Sequence, residues 1–349
     1  MKSAIILGAG FSRNSDIPVE DEIPRLLISD ASNSKFDHAV STVLRRFMED
    51  IFQYDGSCNE PSLDDIITCI DISTNSGHRL GIEYNSIRLR AIRRMLVYRL
   101  FSILEKSFVV SSDVINFLDR LTRKYPNSAY VVLNWDTALE NYLNLMFENL
   151  LIDYSNGGTP LRYKDVGGRR VKIQIAKIHG SCNWLYCDNC RTVFNDMYND
   201  ITVYYKAGFH KRDFEMFNEF SKMGNELIDN KKAFCTICTN ELSSHISTSS
   251  YRKSFMANSF PDVWKTAEGI LSEAEKWIFI GYSLPEADYE FKHLLKIAEL
   301  KLQHIRRKRL LIDVVLLKDE ASVSKYRKFF GKRINVICNN GIKEYIGML

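Results

Sequence analysis

An apolar strand that runs straight into a glycine turn opens this chain: Ile5-Ile6-Leu7-Gly8-Ala9-Gly10-Phe11-Ser12. Apolar residues in unbroken succession describe a strand covered on both faces, the kind found in parallel sheets. The turn places backbone N–H groups at the start of a helix, where a phosphate can rest on them. Alone, a Gly-x-Gly says little. Three later segments have the composition of further walls of one pocket: Leu133-Asn134-Trp135-Asp136, Lys177-Ile178-His179-Gly180-Ser181 and Gly281-Tyr282-Ser283-Leu284-Pro285. No third glycine completes a Gly-x-Gly-x-x-Gly, which argues against an ordinary dehydrogenase fingerprint.

The rest of the pattern alternates. Strands are expected at 3–7, 129–133, 171–178, 277–280, 310–317 and 334–337. Helices are expected over most of 19–125, then at 137–151, 263–274 and 287–302. Residues 73–81 read as a loop between helices, and Gly157, Gly158, Gly167 and Gly168 as turns. In the long helical stretch, apolar residues recur at threes and fours in Phe36, Val40, Val43, Leu44 and Phe47, and in Ile87, Ile92, Leu96, Leu100 and Leu104. The interleaved arginines Arg88, Arg90, Arg93, Arg94 and Arg99 are expected to face solvent for the most part. Strands alternating with helices imply an α/β fold whose parallel sheet is covered on both faces. The expected organisation is a Rossmann-like core (1–29, 126–184 and 241–349), a helical insertion (30–125) and a cysteine-bearing module (185–240).

At 349 residues the chain can bury a large core. Its net charge of +4 is too small to mark a nucleic-acid binder. No apolar run reaches the roughly 18 residues of a membrane span. Residues 4–7 are too short for the apolar core of a signal peptide, so a cytoplasmic protein is expected. Eight cysteines then point to metal more than to disulfides. Cys187-x-x-Cys190 and Cys235-x-x-Cys238 have the gap that turns two sulfurs toward one tetrahedral zinc. The 44 residues between the pairs carry Tyr198, Tyr204, Tyr205, Phe209, Phe214, Phe217 and Phe220, enough for a small satellite core. A closed four-thiolate site leaves no open position for water, so its role is structural. Cys58, Cys69, Cys182 and Cys338 read as small buried apolar residues. Arg306-Arg307-Lys308-Arg309 reads as the solvated cationic end of a helix.

Each candidate site residue has two readings. Asn134 offers an amide that could hold a ribose hydroxyl or aim a water, or it caps the following helix. Asp136 could bind ribose hydroxyls or a carboxamide, or it too caps that helix. His179 could act as a general base near neutral pH, or be a buried histidine bonded at a strand end. Gly180 beyond it permits close approach of a ligand. Gly8, Ala9 and Gly10 would let the backbone approach a pyrophosphate, with Ser12 donating a hydrogen bond, or they form a tight turn with nothing bound. Beyond the strand at 277–280, Ser283 is the better ligand candidate and Asp288 a buttress.

Gly8-Ala9-Gly10-Phe11-Ser12 with Ile17-Pro18, Asn134-Trp135-Asp136, His179-Gly180, the two cysteine pairs and Gly281-Tyr282-Ser283 stand in the order of the sirtuin family's motifs. Over roughly 1–20 and 128–295 the chain resembles that family. The phrases from Leu133 to Glu140 and from Ile280 to Asp288 are similar in particular to the bacterial sirtuin-like proteins of antiphage defence. The resemblance implies NAD as substrate, with Asn134 and His179 catalytic and Gly8, Ala9, Gly10, Ser12, Asp136, Gly281 and Ser283 around the dinucleotide. It implies a structural zinc on Cys187, Cys190, Cys235 and Cys238. It further implies an NAD glycohydrolase that depletes the cell's NAD, and an oligomer or an ATPase partner docked on the helical insertion. A protein deacylase and a non-catalytic NAD- or ADP-ribose-binding subunit are the alternatives. Deacetylases of the family carry Asp-Phe-Arg after the glycine turn, where this chain has Val19-Glu20-Asp21-Glu22. They carry Phe-Gly-Glu after the zinc module, where it has Ser249 to Ser254. Both departures weigh against deacetylation and leave NAD binding intact.

Overall fold

The computed structural model describes residues 2–29, 34–57, 60–161, 171–221, 233–244 and 260–349. The chain begins with β1 (Ser3–Leu7), the single turn α1 (Ala9–Ser12) and the short α2 (Ile23–Leu27). Four longer helices follow: α3 (Lys35–Phe52), α4 (Leu63–Ser76), α5 (Ser86–Lys106) and α6 (Ser112–Lys124). Next come β2 (Ser128–Val132), α7 (Ala138–Met146), β3 (Leu150–Asp153), β4 (Thr159–Pro160) and β5 (Val171–Lys177). The cysteine-bearing part holds β6 (Trp184–Tyr186), β7 (Val193–Asn195), α8 (Val203–Lys206), α9 (Lys211–Glu215) and β8 (Ser243–Ser244). The chain then runs through α10 (Phe260–Glu273), β9 (Lys276–Ile280), α11 (Tyr289–Leu300), β10 (Leu311–Val315), α12 (Glu320–Phe330), β11 (Ile334–Ile337) and α13 (Ile342–Ile346).

Seven strands form one parallel sheet in the order β11-β10-β9-β1-β2-β5-β3. This is the α/β architecture that the alternation predicts. β1 is buried along its whole length. Removing Ile5, Ile6 and Leu7 from water contributes about 1.5–3 kcal/mol each. From β1 the chain first fills one side of the sheet with β2, β3 and β5. It then crosses to β9 and fills the other side with β10 and β11. The order reverses at β1, and the crevice beyond the carboxyl end of such a strand is where open parallel sheets bind ligands.

Several expectations need correction. Helix α7 stops at Met146, because Phe147 turns extended (φ −128°, ψ 115°). The Leu150-Leu151-Ile152 run joins β5 as an edge strand instead of ending the helix. A short apolar run fits either state, and periodicity cannot separate them. Helix α4 continues to Ser76 and ends at Gly77 in the left-handed region (φ 69°), so the loop begins later than 73. Ile87 is exposed, off the buried stripe of α5. Arg99 is buried instead of solvated, donating to the Leu26, Leu27 and Ser29 carbonyls. Helix α12 is an element the sequence reading did not anticipate. Gly157 makes its expected turn at φ 65°. Gly167, Gly168, Cys58 and Ser249 to Ser254 lie outside the described residues. No described helix is long and apolar enough to cross a membrane.

The aromatic residues between the cysteine pairs do not form a core of their own. Phe36 of α3 lies 5.1–5.8 Å, between ring centroids, from Tyr98, Tyr204, Phe209, Phe214 and Phe220. The segment is thus packed into the helical insertion. Ion pairs stitch the same seam: Arg94–Asp213 at 3.0 Å, Lys206–Glu105 at 2.8 Å and Arg46–Glu219 at 2.6 Å. Tyr198 stays exposed. The basic run after α11 is also partly committed. Arg306 meets Glu273 at 3.3 Å and Lys308 pairs with Glu275.

Candidate functional site

The carboxyl ends of β1, β2, β5, β9, β10 and β11 open into one cavity of about 450 Å³. Asn134, Asp136, His179, Gly281 and Ser283 line it, as do Ala9 and Gly10. Gly8 and Ser12 do not reach its wall.

The glycine turn is shaped first by packing. A Cβ on Gly8 would sit 2.5 Å from the Tyr282 Cα, and one on Gly10 would sit 2.8 Å from the Gly281 Cα. Gly281 is at φ 61°, and a Cβ there would lie 2.2 Å from the Phe11 nitrogen. The three glycines let the loops after β1 and β9 touch backbone to backbone, a closeness no side chain permits. The helix start expected at this turn is a single turn, α1, followed by a 3₁₀ turn and Asp16 at φ 60°.

Ser12 is buried behind the cavity. It donates to Asp136 Oδ1 at 3.0 Å and accepts from the Asn134 side-chain amide at 3.0 Å. Asp136 Oδ1 also accepts from the Ala138 N–H at 2.9 Å. Asp136 thus takes the first N–H of α7 from one residue beyond the N-cap, Thr137, whose own side chain makes no cap bond, and Asn134 is tied to Ser12 instead. Burial raises the Asp136 carboxyl above its ordinary range, against the pull of Lys177, the Ala138 N–H and Ser12.

Lys177 at the end of β5 is wholly buried. Its ammonium donates to the Asp136 carbonyl and meets Glu140 Oε1 at 3.0 Å. Tyr154 donates to the same carboxylate at 3.1 Å, and Asn183 to Tyr154 at 3.0 Å. This network under the floor was not foreseen. Its only trace in the sequence is a lysine inside an apolar strand, a residue type that is almost never buried unpaired.

His179 follows β5. Its Nδ1 lies 3.2 Å from the Leu133 carbonyl oxygen, which only accepts, so Nδ1 carries a hydrogen. Nε2 lies 3.5 Å from Asp288 Oδ1. Asp288 Oδ2 accepts from the Tyr282 hydroxyl at 2.8 Å, and the Tyr282 carbonyl accepts from Tyr326 at 2.9 Å. Burial, then Asp288, pushes the Tyr282 hydroxyl well above its usual range. The Trp135 indole donates to the His179 carbonyl at 3.1 Å, and the Cys182 N–H to the Trp135 carbonyl at 2.8 Å. The loops after β2 and β5 are thereby braced against each other. Asp288, read from sequence as a buttress, lines the cavity and faces the imidazole.

The four cysteines form a separate centre. Cys187, Cys190, Cys235 and Cys238 place all four sulfurs within 4.8 Å of one another. Two turns of matching build present them. The Cys187 carbonyl accepts from Arg191 N–H at 2.8 Å, and the Cys235 carbonyl from Thr239 N–H at 2.9 Å. Arg191 (φ 62°) and Thr239 (φ 61°) take the same left-handed position. The pairs Cys187–Cys238 and Cys190–Cys235 stand 3.3 and 3.4 Å apart, near the roughly 3.8 Å edge of a zinc–thiolate tetrahedron. The Asn240 amide, followed by Asn189, draws the Cys238 thiol down to about 5, whereas burial pushes Cys187 up to about 12. The donor set fits a zinc ion. Leu185, Phe194, Ala233 and Leu242 pack beneath it as a small apolar cluster. Of the other described cysteines only Cys182 is fully buried; Cys69 and Cys338 are partly exposed, unlike the expectation.

No family model matches the chain, and no curated protein matches it. Solved structures to which it is similar include a Sir2 homologue in complex with NAD (12% identity, covering 99% of this chain and 87% of that chain, TM-score 0.46). A mutant Sir2 homologue in complex with ADP-ribose is another (13% identity, 99% and 89%, TM-score 0.43). A third bears on the mechanism and regulation of Sir2 enzymes (12% identity, 99% and 90%, TM-score 0.45).

Proposed function

We propose that the crevice beyond β1 takes NAD and hydrolyses its nicotinamide–ribose bond, releasing nicotinamide and ADP-ribose. One observation carries this reading. A single cavity gathers Asn134, Asp136, His179 and Ser283 from the ends of three different strands. The chemistry suits what lines it. When the bond breaks, its electron pair neutralises the pyridinium nitrogen, and positive charge develops on the ribose. Carboxylates of Asp136 and Asp288 in a partly desolvated site favour that charge. A water oxygen then bonds to the ribose carbon, and its proton passes to His179. With hydrogen on Nδ1, the imidazole lone pair is on Nε2, and Asp288 stands beside it to stabilise the imidazolium formed. Asn134, held by Ser12, is placed to aim the water or hold a ribose hydroxyl. A zinc on the four cysteines would bind the loops 187–190 and 235–238 together and contribute folding energy.

The biological role we attach to this activity is NAD depletion in bacterial antiphage defence, supported by the sequence phrases from Leu133 to Glu140 and Ile280 to Asp288. The same reading includes an assembly formed through α3 to α6, with copies of the chain or an ATPase.

Product analysis of NAD incubated with the protein, in the assembly isolated from cells, tests the chemistry. Nicotinamide and ADP-ribose are expected without any peptide, and Asn134→Ala should lower turnover by about 100-fold. Nicotinamide release only with an acyl-lysine peptide, with O-acyl-ADP-ribose formed, would make the protein a deacylase. Tight NAD binding with no product would make it a binding subunit.

A further inference from the structure

The cavity carries a lopsided charge. Six carboxylates line it, those of Glu20, Asp21, Asp64, Asp136, Asp288 and Asp319, and Arg13 is the one lysine or arginine among the described lining residues. A dinucleotide brings two negative charges on its pyrophosphate, which must meet a cation or free N–H groups. The glycine turn has spent most of its N–H groups. Gly8 donates to the Ile280 carbonyl at 3.0 Å, Gly10 to that of Gly281 at 2.8 Å, and Phe11 to that of Gly8 at 2.9 Å. The Ser12 hydroxyl donates to Asp136. α1, a single turn, has too few aligned peptides to supply much of a dipole.

Arg13 follows this turn directly, with a side chain 49% exposed and an ion pair to Glu22. Glu22 belongs to the Val19-Glu20-Asp21-Glu22 stretch, and its Oε2 also accepts from the Val19 N–H at 3.1 Å. Hydrogen bonding from Arg13 holds the Glu22 carboxyl below its ordinary range. An exposed pair of this kind is weak and easily exchanged. Glu22 keeps the Val19 N–H when the guanidinium departs. A guanidinium fork matches two phosphate oxygens as it matches a carboxylate, and a pyrophosphate brings two negative charges where Glu22 brings one.

We propose that Arg13 exchanges its Glu22 partner for the pyrophosphate of the bound dinucleotide, with Glu22 competing for the same guanidinium; this rests on the NAD reading above.

Calorimetric titrations of ADP-ribose and of adenosine into the full chain test it, with wild type, Arg13→Gln, Arg13→Lys and Glu22→Gln compared at two salt concentrations. Arg13→Gln should weaken ADP-ribose binding about tenfold or more, because a charge-assisted contact is lost. It should leave adenosine unchanged and flatten the salt dependence of ADP-ribose binding. Arg13→Lys should recover part of the loss, and Glu22→Gln should tighten ADP-ribose. Equal ADP-ribose affinity in wild type and Arg13→Gln would end the role of Arg13 and leave the NAD reading standing. Equal weakening of both ligands would also overturn it, since that is a structural effect. Weaker ADP-ribose binding in Glu22→Gln would overturn the competition. Wild type that binds no ADP-ribose would overturn the NAD reading, and this inference with it.

Discussion

The four-cysteine centre and the crevice beyond β1 are assembled by opposite means. The first is two copies of one local turn, Cys187–Thr192 and Cys235–Asn240, each closed by its own backbone hydrogen bonds. The second takes short loops from the ends of six strands, from Ala9 to Ile342, with Asp64 of α4 and Leu104 of α5 beside them, and the sheet order brings the loops together. The difference concerns what holds each site. The two local turns present a donor set that fits one ion, whereas the crevice rests on buried polar contacts beneath it.

Stripping the cysteine centre should have the largest effect. The protein should contain one zinc per chain by elemental analysis. Chelation or Cys235→Ser should unfold the loops around β6, β7 and β8 at a cost on the order of 10 kcal/mol of metal-binding free energy. Hydrogen exchange should show the seven-stranded sheet still protected. Metal-free protein with those loops equally protected would remove the ion from the account.

The matching cut beneath the crevice is Lys177→Met. It leaves Glu140 buried without its ammonium, and denaturant unfolding should show a loss of about 3–5 kcal/mol. A loss at least as large is expected from Gly281→Ala, where left-handed strain of about 1–3 kcal/mol adds to a Cβ placed 2.2 Å from the Phe11 backbone nitrogen. Its thermal midpoint should fall, and the loops after β1 and β9 should lose protection together. The mildest change is Asp288→Asn, which removes the charge beside His179 and keeps the shape. Nicotinamide release should slow about tenfold at unchanged stability. A fall in stability without a change in rate would make Asp288 a structural residue.

Legibility in the sequence followed the same divide. Cys-x-x-Cys spacing states its geometry locally, and the structure gathers all four sulfurs as that spacing implies. The strands at β1, β2, β9, β10 and β11 were readable as short, mainly apolar runs bounded by turns or helices, and β5 as an alternation of apolar and polar residues ending in the apolar Ile175-Ala176. β3 was not, since Leu150-Leu151-Ile152 continues the apolar pattern of α7 and only pairing with Val171 to Gln174 decides its state. Part of the lining, Ala9, Gly10, Asn134, Asp136, His179, Gly281 and Ser283, was readable as an ordered set of motifs, whereas Asp64, Leu104, Asp319 and Ile342 were not. Their neighbours were hidden. Nothing local says that Ser12 joins Asn134 to Asp136, that Lys177 meets Glu140, or that Asp288 faces His179. Those contacts exist only once the sheet has folded. The glycines at 8, 10 and 281 look like a ligand cradle in sequence, yet their space is filled by each other's backbone.

Whether the crevice beyond β1 breaks NAD is decided by nicotinamide release by wild type and by His179→Ala in the same assembled state, with melting temperatures recorded for both. Wild type should release nicotinamide, the variant should lose about 100-fold to 10,000-fold in rate, and the melting temperatures should match. Equal rates in the two proteins would contradict this reading.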